Sequence, residues 1–272
     1  MTDHIDTNRA HWDAMARAHT VNDPFYDPAK LARGENLMSE AEQQAVDRLG
    51  PLAGKRVMHL QCHMAFDAIW FAKQGAIVTG VDLSPGSLAG AAAFASQAGV
   101  DIEWVQADAH ALPEHLNGRF DVVFASIGAI CWIENMQAWM DGVSRVLAPG
   151  GRLVLVDLHP ILQMLGSADP LVMDWPYAFS GPWREVSSGS YTSPDAPVTD
   201  SESVSFAHDL GEVVTTCVRA GLRVDALTEV HDMPYDPRRD IATKDPDGRY
   251  RVRLAGQPNT IPMVFALEAA KP

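Results

Sequence analysis

Val57-Met58-His59-Leu60-Gln61-Cys62-His63-Met64-Ala65-Phe66-Asp67 is the stretch that decides the fold. Val57–Leu60 is an apolar strand, and Phe66–Gln74 has the pattern of a helix closed by Gly75. Between them lies a tight loop at the place where an α/β protein sets its nucleotide-binding turn. The glycines usual in such a loop are absent, and Gln61, Cys62, His63, Met64 and Ala65 stand there instead. Asp82 closes the next strand, 21 residues after Gln61, a placement that suits a ligand bearing a ribose.

Outward from this loop the alternation is regular. Ile77–Val81 is a second strand, and Ser84–Ala98 an alanine-rich helix ended by Gly99. Ile102–Val105, Phe120–Ser126 and Arg152–Asp157 follow as strands, with a helix over Asn135–Leu147. A helix over Asp209–Ala220, a strand at Leu222–Glu229 and a last strand at Ile261–Leu267 complete the series. Strands separated by helices at this spacing imply right-handed crossovers and a largely parallel sheet. Before it, Asn8–Ala18 reads as a short helix. Ser39 and Glu42 form a capping box for another, from Glu40 to about Leu49. Residues 159–205 break the pattern with prolines and aromatics, and the aromatic content argues for a packed excursion of hairpin and turns. The expected organisation is an N-terminal helical cap over 1–50 and one domain over 51–272, with 159–205 as an insert.

The 272 residues carry 35 acidic and 21 basic side chains, a formal charge of -14, which disfavours a nucleic-acid partner. Neutral or cationic small molecules suit this balance better. Three dispersed cysteines, Cys62, Cys131 and Cys217, form neither a disulfide framework nor a paired zinc motif, so no metal is expected. The polar start MTDHIDTNRAHWD is not a signal peptide, and no apolar run reaches membrane-spanning length. A cytoplasmic location without membrane attachment is the expectation, and the exposed strand edges leave room for a homodimer.

In an open parallel sheet, ligands bind beyond the carboxyl ends of the strands. Gln61, His63, Asp82, Asp108, Ser126, Asp157 and His159 all fall at such ends, so the fold gathers them on one rim. A carboxylate at Asp82 has acceptor sites for two ribose hydroxyls. Asp108 is placed to accept from an adenine amine, and the Ala109 amide to donate to a ring nitrogen. A dinucleotide loop needs glycines so that pyrophosphate can approach backbone amides. The run QCHMAF has none, and no Arg or Lys, which favours an adenosine cofactor without phosphate.

On these residues the chain resembles the class I S-adenosylmethionine-dependent methyltransferases, and more narrowly a bacterial group whose first motif reads approximately HLQCHFG-D. The matching pieces are HLQCH at 59–63, TGVDLSP at 79–85, QADAHALP at 106–113, FDVVFASIGAICW at 120–132 and LAPGGRLVLVDLHP at 147–160. HDLGEVVTTCVRAGL at 208–222 and NRAHWDAMA near the start extend them. The resemblance implies a Rossmann-like α/β sheet, mostly parallel with an antiparallel final strand, helices on both faces, and S-adenosylmethionine as cofactor. It implies that the loop Leu60, Gln61, Cys62 and His63 wraps the methionine portion. Asp82 then holds the ribose with Leu83 beside the adenine, Asp108 and Ala109 read the adenine edge, and Ser126 and Ile127 lie near the sulfonium. Two departures stand out: His59 occupies the position of the usual first-motif acid, and Ala65 a position where even the narrower group keeps glycine.

The implied reaction is methyl transfer to an O or N atom of a small metabolite, by in-line attack on the sulfonium methyl. Altered chemistry on the same cofactor and a non-catalytic binding module are the alternatives. A base is needed where the acceptor must lose a proton. His159, with Asp157 to orient it, is the preferred candidate, and His63 and His208 are the others. Trp132, Trp175, Tyr177 and Trp183 are candidates to enclose the acceptor.

Overall fold

The computed structural model describes residues 3–20, 23, 25–168, 171–192, 197–237, 241–254 and 259–272. Four positions of the expected insert, 193–196, and two more, 169–170, therefore lie outside the described residues.

The first elements are helices: α1 (Asp3–His19), α2 (Pro28–Ala32) and α3 (Glu40–Asp47). The capping box read at Ser39 is present. The Ser39 amide donates to the Glu42 carboxylate at 2.6 Å, and the Glu42 amide to Ser39 Oγ at 3.3 Å. Then come β1 (Arg56–Leu60), α4 (Phe66–Lys73), β2 (Ile77–Asp82), α5 (Pro85–Ala98), β3 (Glu103–Gln106) and β4 (Phe120–Ser126). α6 (Met136–Val146), β5 (Leu147–Leu158) and α7 (Pro160–Gln163) follow. The excursion is built of two hairpins, β6 (Leu165–Ala168) with β7 (Leu171–Met173), and β8 (Ser180–Gly189) with β9 (Pro197–Ala207). α8 (Leu210–Arg219), β10 (Arg223–Val230), the small pair β11 (Thr243–Lys244) and β12 (Tyr250–Arg251), and β13 (Val264–Ala270) end the chain.

The main sheet has seven strands in the order β10-β13-β5-β4-β1-β2-β3. The five strands from β3 to β5 are mutually parallel, and β13 runs antiparallel to both β5 and β10. The strand order reverses between β1 and β4, so the carboxyl ends of those two strands open a crevice. The strands read as continuous apolar runs because both sheet faces are covered. On one face Val57, Phe124, Val154 and Val156 pack with α4 and α5, and on the other Met58, Leu60, Val123 and Leu155 pack with α6 and α8.

α1 crosses the rim and lies along β9. Asn8 clamps the edge strand in both directions, its Nδ2 donating to the Val204 carbonyl and its Oδ1 accepting from the Val204 amide, each at 2.8 Å. One turn on, Asp13 accepts from Ser84 Oγ at 2.5 Å and from the Gly86 amide at 2.8 Å, at the start of α5. Cap and insert thus close over the crevice, held to each other and to the sheet. Among the described residues no helix is long and apolar enough to cross a membrane.

Candidate active site

The first-motif loop keeps a glycine-type backbone without glycine. Gln61, His63 and Ala65 all have positive φ, at 57°, 45° and 57°. A side chain in that region costs roughly 1–2 kcal/mol per residue, so something must hold each one. The Gln61 amide does so by bridging two partners: Nε2 donates to the Ala129 carbonyl at 2.8 Å, and Oε1 accepts from the buried Trp139 indole at 3.0 Å. His63 is pinned at both ring nitrogens, to Ser87 Oγ at 2.9 Å and to His19 Nδ1 at 2.6 Å. The Ala65 amide donates to the Cys62 carbonyl at 2.7 Å, and its buried methyl sits in the core. Ala65 thereby loses its oddity: it takes the left-handed turn that starts α4.

Beyond the strand ends lies a cavity of about 830 Å³. Its floor carries Leu60, Gln61, Cys62 and His63, then Asp82 and Leu83, Asp108 and Ala109, and Ser126 and Ile127, so all ten residues expected to bind the cofactor share one space. The Asp82 carboxylate accepts from the His63 amide at 2.8 Å and the Ser84 amide at 2.9 Å, one per oxygen. Each oxygen keeps a second acceptor direction. Burial raises its pKa to about 6, against the pull of those amides. Asp108 spends Oδ1 on the His110 amide and ring, at 2.9 and 2.8 Å. Its Oδ2 and the Ala109 amide have no partner among the described residues. One acceptor and one donor therefore stand free side by side after β3, the pattern an adenine edge requires.

The histidines do not fall where the sequence reading puts them. His159 is outside the cavity lining and caps α7: its Nδ1 accepts from the Ile161 amide at 3.1 Å, and its Nε2 bonds Glu229 at 2.8 Å. Pro160 at the first helical position favours such a cap. Asp157 does not orient it, because its carboxylate is taken up by four backbone amides, those of Gly128, Ala129, Ile130 and Leu158. His208 is likewise outside, bonded to Glu212 at 2.9 Å and the Ile133 carbonyl at 2.6 Å. His63 faces the cavity, but burial holds its pKa well below the usual range and both nitrogens are engaged, so the loop-bracing role dominates.

Cys62 is buried with its thiol pKa pushed up, which removes it as a nucleophile. His59, in the place of the usual acid, is buried, kept neutral by burial with a pKa of about 3, and its Nδ1 has no partner. Of the expected aromatics, Trp132 reaches the cavity, whereas Trp175, Tyr177 and Trp183 lie on the outer side of the insert.

Several lining residues escape the sequence reading. α1 presents Ile5, Asn8, His11, Trp12 and Met15 at helical spacing, and the insert adds Ser190 and Tyr191. Glu42 and Asp67 also line the space. Burial and the mutual repulsion of the two carboxyls push Asp67 up to about 8, with Glu42 raised as well. Asp67 was legible as the acid in the first turn after the loop, but Glu42 reads as a capping residue and reveals nothing of the cavity. No Lys or Arg is among the described residues that line it.

The carboxyl pair makes stability fall with rising pH. In the unfolded chain both groups ionise near 4, whereas in the fold Asp67 retains its proton up to about 8 and Glu42 is raised in the same direction. The native state therefore binds more protons across that interval, and its advantage is lost as pH climbs through about 8. Without ligand, the Tm is expected to drop between pH 6 and pH 9, and Asp67→Asn to flatten that drop while raising Tm at pH 9. A wild-type Tm constant over this range would refute the assignment.

Comparison with known proteins places the chain. Residues 57–151 match the methyltransferase-domain family model. An uncharacterized methyltransferase of Synechocystis is 36% identical over 118 residues, covering 43% of this chain and 53% of that protein. A ubiquinone biosynthesis O-methyltransferase of Pseudomonas entomophila is 32% identical over 108 residues, 40% of this chain and 46% of that one. The chain spans about half the length of the curated relatives it matches. The solved structure of an S-adenosylmethionine-dependent methyltransferase from Mesorhizobium loti shares the fold, with a TM-score of 0.58 at 23% identity over 84% of this chain and 96% of that chain. Residues 57–151 thus match a methyltransferase domain, and the chain has the fold of a solved S-adenosylmethionine-dependent methyltransferase.

Proposed function

We propose that the protein transfers a methyl group from S-adenosylmethionine to an O or N atom of a small neutral or cationic metabolite, and that it belongs to the narrower group with an HLQCH-type first motif. The observation that carries this is the joining of two halves in one cavity. The strand-end residues expected around an adenosine form the floor, and α1 with the insert forms the roof. A volume of about 830 Å³ lies in the range that holds a drug-sized ligand, with room for a second small molecule. In the lining, Trp12, Trp132 and Tyr191 suit a planar or cationic acceptor.

The residues divide the work as follows. Asp82 would hold the ribose hydroxyls, Asp108 Oδ2 and the Ala109 amide the adenine edge, and the loop from Leu60 to His63 the methionine portion. Asp67 and Glu42 would face the ammonium, doing what His59 cannot. When bound, the cofactor supplies an electrophilic methyl. The chain's own contribution is orientation of the acceptor and removal of water by the closed roof.

Calorimetric titration with S-adenosylmethionine and S-adenosylhomocysteine tests the first half, and labelled methyl transfer to phenol, amine and carboxylate acceptors the second. Failure of both nucleosides to bind would sink the cofactor assignment. A carboxylate acceptor turned over in preference to phenols and amines would sink the acceptor class.

A further inference from the structure

We propose that His11, on the roof of the cavity, is the general base that takes the acceptor's proton. The inference rests on the methyl-transfer reading above and adds to it the group that performs the proton step.

His11 differs from every other histidine that faces this space. His63 has both ring nitrogens bonded. His19, buried behind the lining, is bonded at Nδ1 to His63 and at Nε2 to Ser190 Oγ at 2.8 Å. His110 bonds Asp108 through Nδ1 and accepts the Glu134 and Asn135 amides at Nε2. The free Nδ1 of His59 is sealed from any solvent. His11 has one nitrogen committed and one open. Its Nδ1 lies 2.9 Å from Ser201 Oγ. With the ring proton on Nδ1, donated to that hydroxyl, the Nε2 lone pair is the basic site. Nε2 has no partner among the described residues, and the ring is one of those lining the cavity.

Position and rigidity agree with this role. The ring lies 5.8 Å from that of Trp132, in the segment that follows β4, and 5.5 Å from that of Trp12. Trp132 belongs to the segment that leaves the end of β4 through Ser126 and Ile127, so His11 packs on the connection that follows those two floor residues. The Asn8 clamp on Val204, one helical turn earlier, and the Ser201 contact fix α1 on β9 at two successive turns, so the ring is held from behind. Burial lowers the pKa of His11, so the imidazole is neutral and able to accept at neutral pH.

The step balances with these groups. An acceptor X–H gives its proton to His11 Nε2, and the X lone pair forms the bond to the methyl carbon. The carbon–sulfur bond breaks, and its electron pair stays on a sulfur that becomes neutral. The imidazolium returns its proton to water after release. The charge-bearing groups that interact with His11 are His19 on α1 and His63 on the loop after β1, and Cys131 after β4 and Glu185 on β8 line the same cavity. The two histidines are held by partners, and the Cys131 thiol is raised by burial.

The test uses the full chain and separates this inference from the reading beneath it. His11→Gln keeps a donor toward Ser201 and is expected to bind S-adenosylhomocysteine within threefold of wild type. With a phenol acceptor, kcat is expected to fall about 100-fold with KM little changed, and the rise of kcat between pH 5 and 7 to vanish. In the wild type, diethylpyrocarbonate at pH 7 is expected to modify His11, mapped by peptide mass, and to spare His19 and His63. Loss of S-adenosylhomocysteine binding by the wild type itself would overturn the cofactor reading. Normal binding with an unmodified His11, or with kcat of His11→Gln within threefold of wild type, would overturn the base alone. The labelling readout stands even where the variant does not fold.

Discussion

Asp82→Ala is expected to weaken S-adenosylhomocysteine binding by about 150- to 4000-fold. The carboxylate holds the His63 and Ser84 amides with one lone pair of each oxygen and keeps the other for a ligand. In the proposed cofactor complex two ribose hydroxyls would complete its shell. Each hydrogen bond to a charged acceptor contributes about 1.5–3 kcal/mol, so losing both amounts to about 3–5 kcal/mol of binding. The variant also frees the His63 amide inside a loop whose three positive-φ residues depend on their contacts. Asp82→Asn keeps one acceptor oxygen and is expected to fall between. pH gives an independent check. The carboxyl sits at about 6 in the fold, and only its ionised form accepts from both hydroxyls. Affinity is therefore full above pH 7 and falls by up to tenfold per unit below 6. Calorimetry at pH 5, 6 and 7.5 reads both effects; an Asp82→Ala protein with unchanged Kd would remove Asp82 from the ribose site.

What the sequence could and could not reveal follows from where each signal resides. The sheet was legible because burial on both faces leaves apolar runs of four to seven residues between glycine and proline stops, and such runs are local. The floor was legible for the same reason, since Asp82, Asp108 and Ser126 are tied to the ends of those strands. The roof was not. The face of α1 that carries His11 meets Ser201, 190 positions away, and no local pattern encodes that pairing. Periodicity tells that α1 buries a face, but not that the face includes a cavity. His159 misled because it follows a strand end, as the other site residues do. Pro160 marked the competing answer, a helix start with His159 as its cap. The loop's backbone was not legible either: without glycine, Gln61, His63 and Ala65 still adopt left-handed turns, held by contacts to distant residues at Gln61 and His63.

Asp157→Ala is expected to cost about 4 kcal/mol of stability and lower Tm by roughly 8–16 °C, the largest effect of any single change outside the cofactor floor. Asp157 is fully buried at the end of β5, and its carboxylate accepts from the Gly128, Ala129, Ile130 and Leu158 amides at 2.6, 2.9, 2.9 and 2.7 Å. Gly128 turns at φ +87°, which aims three consecutive amides at one anion. Alanine leaves these donors without an acceptor, at about 1–3 kcal/mol each before relaxation. Release of the buried carboxylate from its desolvation returns part of that sum, which brings the net to about 4 kcal/mol. The loss extends to the site. The anchored turn carries Ala129, whose carbonyl receives the Gln61 amide, and leads to Trp132 beneath His11. Loosening it frees the first-motif loop and the acceptor floor together, so cofactor affinity is expected to fall with stability in the same variant. Asp157→Asn still offers one oxygen but turns an amide group toward the remaining donors, and is expected to recover only part of the loss. Thermal and urea unfolding measure the first effect and S-adenosylhomocysteine titration the second. An Asp157→Ala protein that melts within 3 °C of wild type would show that the four amides find other acceptors, and that the turn is held from elsewhere.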